Sequence, residues 1–272
     1  RDDARALLEC EPDNGDGRSM ARRLDARIER QEGRLATSVG ELFLSCDNSG
    51  KRELAADPAS SSRFPNRESR EVRGHWVDVA PTPLPEPFLV AVSGRMAATL
   101  GLSDAACATP AFPRVFSGDL SALEPPQQPQ QPQQQQQQPP PSPLQPRPWA
   151  TPYAVSVFGQ AILSPDPFGH GAAYGDGRAL SLCELHGAVA SDGGGGGGRW
   201  ELQLKGAGTT PFSRNHDGRA TIRSSIREFL VSEAMDAMDV PTTRALSLVG
   251  SKSLRVGRPW YADNDGGDDH PP

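Results

Sequence analysis

An α+β fold, an antiparallel sheet joined to a helix, is predicted by two hydrophobic periods and one turn. In residues 199–206 the apolar Trp200, Leu202 and Leu204 alternate with Glu201, Gln203 and Lys205, the period of a strand with one buried face. Lys205 therefore ends that strand on its polar side. From Ala220 the period lengthens: Ile222, Ile226, Phe229, Leu230, Ala234, Ala237 and Met238 recur at helical spacing, and Pro241 follows the expected helix end. Glu228 falls mid-helix beside this stripe. Upstream, the turn Gly175-Asp176-Gly177-Arg178 opens into a second alternating run over residues 179–185.

Glycine turn, two strands, strand lysine and helix glutamate follow the order of the small lobe of protein kinases. Each part has a physical task. Glycine lets backbone N–H groups come close to phosphate, lysine supplies a point charge, and a carboxylate holds an otherwise flexible ammonium in place. Singly, the parts say little. Asp-Gly is a common hairpin turn in a chain with 28 glycines, and an isolated strand lysine or helix glutamate is usually a solvated surface residue. Their joint order is the informative observation.

Around these residues the sequence resembles the selenoprotein O family, also called the YdiU family. The likeness is carried by Tyr174-Gly175-Asp176-Gly177-Arg178, by Trp200-Glu201-Leu202-Gln203-Leu204-Lys205-Gly206, and by Asp217-Gly218-Arg219-Ala220. It continues through Arg223-Ser224-Ser225-Ile226-Arg227-Glu228-Phe229-Leu230 and Pro241-Thr242-Thr243-Arg244-Ala245-Leu246-Ser247. A lead-in at residues 52–58, 79–84 and 89–102 matches as well. The resemblance implies a protein-kinase-like fold and a protein adenylyltransferase, which moves AMP from ATP onto Ser, Thr or Tyr hydroxyls of proteins with Mg²⁺ or Mn²⁺. It implies that Gly175, Gly177 and Arg178 contact phosphates, that Lys205 holds a phosphate and pairs with Glu228, and that Asp217 and Gly218 line the nucleotide site.

The same resemblance places the catalytic aspartate, the metal-binding asparagine and aspartate, and two phosphate-binding arginines beyond residue 272. The expectation is therefore an N-terminal portion of the enzyme without its catalytic lobe, with no catalytic residue and no metal ligand of its own. Lys205 and Glu228 act as a positioning pair. Such a chain is expected to bind nucleotide weakly and not to catalyse, because phosphoryl chemistry depends on metal ions and a group orienting the nucleophile. The alternative is a non-catalytic nucleotide-binding or protein-interaction segment.

Composition divides the chain. Only 36% of the 272 residues are hydrophobic and 27 are prolines, so much of the length is expected to build no core. Residues 1–45 read as an N-terminal extension with a short helix near residues 20–28, and 46–120 as the family lead-in. Residues 121–149 hold a Gln/Pro-rich insert whose composition cannot offset chain entropy by burial; repeat expansion in a surface loop explains it better than docking to a proline-binding module. Residues 150–262 form the nucleotide-binding segment, with a glycine tract at 193–198 between the two strands. Residues 263–272 are an acidic tail, an incomplete imitation of a calcium loop.

Cys10, Cys46, Cys107 and Cys183 show no paired spacing, which argues against disulfides and zinc and for a reducing compartment. The net charge of −6 and the absence of any run of about eighteen apolar residues indicate neither a nucleic-acid groove nor a membrane span. Acidic residues in the first 31 positions speak against a transit peptide, so a mitochondrial location follows from the resemblance alone, with the cytoplasm otherwise. Arg214, Arg219, Arg223 and Arg227 crowd the expected site. One or two of them are expected to supply positive field and the rest to be surface. His216 is read as a loop residue.

Overall fold

The computed structural model describes residues 35–123, 147–151, 177–187, 198–213 and 216–256. Two antiparallel sheets and six α-helices are found among them. The larger sheet has strand order β1-β3-β4-β5: β1 (Val77–Asp78), β3 (Trp149–Ala150), β4 (Ala179–His186) and β5 (Arg199–Lys205). The smaller pairs β2 (Pro87–Val92) with β6 (Ser247–Ser251), with a bulge between Leu89 and Ala91.

Short helices fill the lead-in, and serine caps set where three of them begin. Ser38 accepts the Glu41 N–H at the start of α1 (Val39–Leu44), while Glu41 reaches back to the Thr37 N–H at 2.7 Å. Helix α2 (Ser49–Glu53) follows without a side-chain cap. Ser93 caps α3 (Gly94–Thr99) and Ser103 caps α4 (Asp104–Cys107) in the same way as Ser38. Then come α5 (Ala111–Phe116) and a 3-10 turn, Leu120–Leu123. Leu42, Leu100, Phe112 and Val115 from these elements are fully buried with Val77, Leu180, Leu182 and Leu185 of the sheet in one hydrophobic core.

Both predicted strands form, with different burial. On β5 the alternation is as expected: Leu202 and Leu204 are buried, Glu201, Gln203 and Lys205 exposed. On β4 the polar side is buried too, since Ser181 is 1% exposed and Cys183 fully covered. The reason is position. β4 lies between β3 and β5, and the lead-in covers it: the Asp47 N–H donates to the Glu184 carbonyl at 2.9 Å and the Glu184 N–H to Asn48 Oδ1 at 2.8 Å. A local alternation cannot reveal such a distant cover.

The same contact corrects the cysteine reading. Cys46 and Cys183 are joined in a disulfide across 137 residues of sequence, their Cα atoms 5.8 Å apart. Linear spacing gave no hint because the partners meet only once the loop after α1 lies along β4. The argument for a reducing compartment loses its support accordingly. Cys107 is free and buried, and burial pushes its thiol up from the ordinary value.

One lysine is built into the lead-in. Lys51 Nζ lies 4.4 Å from the ring centre of Trp76 and 5.0 Å from that of Trp149, and 2.7 Å from Asp78 Oδ1. Burial lowers its pKa, and the Asp78 carboxylate works the other way.

The predicted helix is α6 (Ile222–Ala237), ending before Pro241. Its apolar stripe is not buried. Ile222, Ile226, Leu230 and Met238 are 39% to 62% exposed, and Ser232 is the buried residue of the helix. Polar ties hold it instead. Ser232 Oγ donates to the Thr243 carbonyl and accepts the Ala245 N–H, and Arg244 bridges Glu233 at 3.1 Å and Asp236 at 2.5 Å. The expected helix near residues 20–28, residues 124–146 of the 121–149 insert and the acidic tail lie outside the described residues, while the insert's two ends are ordered, Leu120–Leu123 as a 3-10 turn and Trp149 in β3. Residues 193–197 of the glycine tract lie outside the described residues; on either side of the β4–β5 connection the Gly187 N–H donates to the Gly198 carbonyl at 2.9 Å.

Candidate nucleotide site

Antiparallel pairing of Ala179 with Lys205 brings the turn before β4 and the end of β5 together. The Gly206 N–H then donates to the Arg178 carbonyl at 2.7 Å. Beyond Lys205 the chain reverses through Gly206 (φ +95°) and Gly208 (φ +104°), conformations that favour glycine. A Cβ on Gly206 would lie 2.9 Å from Ala220, and one on Gly208 2.7 Å from Thr82 Oγ1, so neighbouring chain occupies the side-chain space.

Residues 217–220 close over this reversal. Gly218 has φ +65°, and a Cβ there would sit 2.0 Å from the Gly208 carbonyl oxygen. Asp217 Oδ1 accepts the Arg219 N–H at 2.9 Å, an Asx turn that leads the chain toward α6. From α6, Glu228 reaches across to the strand: Lys205 Nζ donates to Glu228 Oε2 at 2.9 Å. The two side chains are 38% and 55% exposed, so solvent screens the pair and its worth to stability is small. What it fixes is where the ammonium points.

Of the sequence-predicted residues, Gly177, Arg178, Lys205, Asp217, Gly218 and Glu228 gather at this end of β4 and β5. Gly175 lies outside the described residues, as does Arg214. Gly177 needs to be glycine for a protein reason: its Cβ would meet the Phe212 carbonyl oxygen at 2.4 Å, and buried Ser213 donates to the Gly177 carbonyl at 2.5 Å. Arg178, Arg223, Arg227 and His216 are exposed. Thr82 and Arg219 escaped the sequence reading as parts of the scaffold. Thr82 comes from the lead-in, and its N–H donates to the Ala207 carbonyl at 2.7 Å. Arg219 was read only as one of four arginines near the site, supplying field or lying at the surface, and not as a tie between backbone carbonyls.

The arrangement is an exposed ammonium aimed by a carboxylate, beside two tight backbone turns and a further arginine. Its ammonium can attract an anionic group by charge, while the N–H groups of Gly206, Gly208 and Arg219 are given to oxygens of the chain itself. Among the described residues no group of three or more His, Cys, Asp or Glu is placed to bind a cation. No helix among them is long and apolar enough to cross a membrane.

The family model of the protein adenylyltransferase SelO matches residues 60–260. The protein nucleotidyltransferase YdiU of Xanthomonas euvesicatoria pv. vesicatoria (strain 85-10) is 44% identical over 216 residues, covering 79% of this chain and 33% of that protein. YdiU of Xanthomonas campestris pv. campestris (strain 8004) is 44% identical over 219 residues, 80% of this chain and 34% of its own length. In Xanthomonas oryzae pv. oryzae (strain PXO99A) the figures are 46% over 193 residues, 71% and 30%. The chain thus spans about a third of the length of the curated relatives it matches.

Proposed function

Since the chain belongs to the family of the protein adenylyltransferase SelO, we propose that residues 177–237 form the lysine-bearing half of an ATP site in a protein nucleotidyltransferase. The observation that supports it most is the Lys205–Glu228 contact of 2.9 Å at the strand end where the 177–178 turn and the 217–218 loop converge. In this reading the fold is the small lobe of a kinase-like protein. Lys205 neutralises a phosphate, Glu228 aims it, and Gly177, Arg178, Asp217 and Gly218 line the remaining phosphate oxygens.

The reaction is AMP transfer. A Ser, Thr or Tyr hydroxyl of a protein substrate attacks the α-phosphate, a new P–O bond forms as the bond to the β-phosphate breaks, and pyrophosphate leaves with the displaced electron pair. Mg²⁺ or Mn²⁺ supplies charge neutralisation when bound, and no residue described here is assigned as its ligand. No residue described here is assigned as the catalytic base either; Lys205 and Glu228 are assigned to positioning the nucleotide. The named relatives are bacterial, which removes a mitochondrial location as a requirement; a cytoplasmic one serves equally.

A second reading, a protein-interaction segment, draws on the exposed stripe of α6. A polypeptide extending to the length of the relatives distinguishes the two when incubated with ATP labelled at the α- or the γ-phosphate. Label entering protein from the α-position alone supports adenylylation, label from the γ-position alone replaces it with ordinary kinase chemistry, and label from neither leaves the interaction reading.

A further inference from the structure

Arg219, one of the four arginines expected either to supply positive field or to lie at the surface, turns its guanidinium onto backbone carbonyls instead. Its Nη1 donates to the Thr82 carbonyl at 2.8 Å and to the Gly206 carbonyl at 3.2 Å, and its Nη2 reaches the Pro83 carbonyl at 3.5 Å. Gly206 follows Lys205 directly. Arg219 itself stands two residues before Thr221, the N-cap of α6, the helix that presents Glu228. One planar guanidinium therefore ties together the end of the lysine strand, the start of the glutamate helix and the lead-in at 82–83.

The chemistry suits arginine and no other cation. A rigid fork of N–H donors satisfies several carbonyl oxygens that a single ammonium could not span. Burial pulls the guanidinium below its ordinary pKa, partly countered by Asp217, yet it stays charged at any physiological pH. The glycines around it leave no slack: 206, 208 and 218 all have their Cβ space filled by neighbouring chain. Small movements at this junction consequently pass to both partners of the ion pair.

We propose that Arg219 is a positioning residue of the nucleotide site, holding Lys205 and Glu228 in register by clamping the carbonyls of Gly206, Thr82 and Pro83. The proposal rests on the ATP-site reading for its purpose, and on the ion pair alone for its test.

The chain has three lysines, Lys51, Lys205 and Lys252, and this permits a residue-resolved experiment. Lys252 is exposed and reports the reagent; Lys51, enclosed by Trp76, Trp149 and Asp78, reports whether the fold is intact. An amine-reactive acetylating reagent competes with Glu228 for the Lys205 amine, which is 38% exposed. In ATP-free buffer, Arg219→Ala is expected to raise Lys205 acetylation relative to Lys252 about threefold, as far as Glu228→Gln does, on the scale of a weak exposed ion pair. Lys51 stays protected, and Arg219→Lys recovers part of the difference. An unchanged Lys205 ratio overturns the proposal. So does a parallel rise at Lys51 in both Arg219 variants, which marks a general loss of folding. Adding ATP to the wild-type chain separates the two claims: absence of any protection at Lys205 defeats the nucleotide reading, while the ATP-free ratios still decide the role of Arg219.

Discussion

Phe112 and Leu230 are large apolar residues on helices of one chain, yet the first is fully buried and the second 61% exposed. The contrast separates two regions. Residues 35–123, the lead-in with the end of the N-terminal extension before it, are held by apolar burial, with Leu42, Leu100, Phe112 and Val115 inaccessible to solvent. Helix α6 and the loop before it are held by hydrogen bonds and charges: Ser232 to the 243–245 backbone, Arg244 to two acids, Arg219 to three carbonyls, Lys205 to Glu228. Burial is non-directional and gives stability, whereas polar ties set direction and give a site its geometry. A chain can thus carry a site on an element that contributes little to its core.

Breaking the first region has the largest expected effect. Phe112→Ala removes a fully buried ring and is expected to cost about 3–5 kcal/mol in denaturant unfolding. Gly218→Ala follows, since a methyl there meets the Gly208 carbonyl oxygen at φ +65°. A loss of about 1–3 kcal/mol is expected, together with weaker ATP binding. Arg244→Ala leaves Glu233 and Asp236 without their shared cation and is expected to cost about 1–3 kcal/mol. Hydrogen exchange should locate that loss in residues 222–237 and spare 94–116.

The acid limb probes the lead-in by charge. Burial would raise the Asp57 carboxyl, but hydrogen bonds from Arg70 and the Arg73 N–H outweigh it and hold the carboxyl below its ordinary value. A depressed folded pKa contributes stability that is complete above the unfolded carboxylate value, near 3.8, and fades as pH falls through the folded one. Asp57→Asn should flatten the stability profile over that window and leave its slope near neutrality unchanged. Leu230→Gln is the smallest perturbation. On an exposed helix face it is expected to change stability by less than about 0.5 kcal/mol, and a larger loss would show that the stripe is packed after all.

Local signals in the sequence carried the site further than the core. Both strands and the helix were legible because period and turn chemistry act over a few residues, whereas the pairing of Lys205 with Glu228 was implied by the resemblance. The full burial of β4, the Cys46–Cys183 link and the role of Thr82 were not, because each depends on the lead-in meeting β4 or the 206–208 turn from far away in sequence. The stripe of α6 misleads in the opposite sense: helical spacing of apolar residues announces a helix correctly without saying that its face is covered. Gly177 was read as contacting phosphate and Gly218 as lining the nucleotide site, and the close backbone packing that also demands glycine at both was invisible before folding.

The central claim is that Lys205 meets a nucleotide phosphate. Titration of the chain and of Lys205→Ala with ATP, followed by calorimetry and by thermal unfolding, tests it most directly. The account predicts at least about tenfold weaker binding for the variant, the loss of one charge-assisted contact, with an unchanged melting temperature. Equal ATP affinity in the two proteins would contradict it.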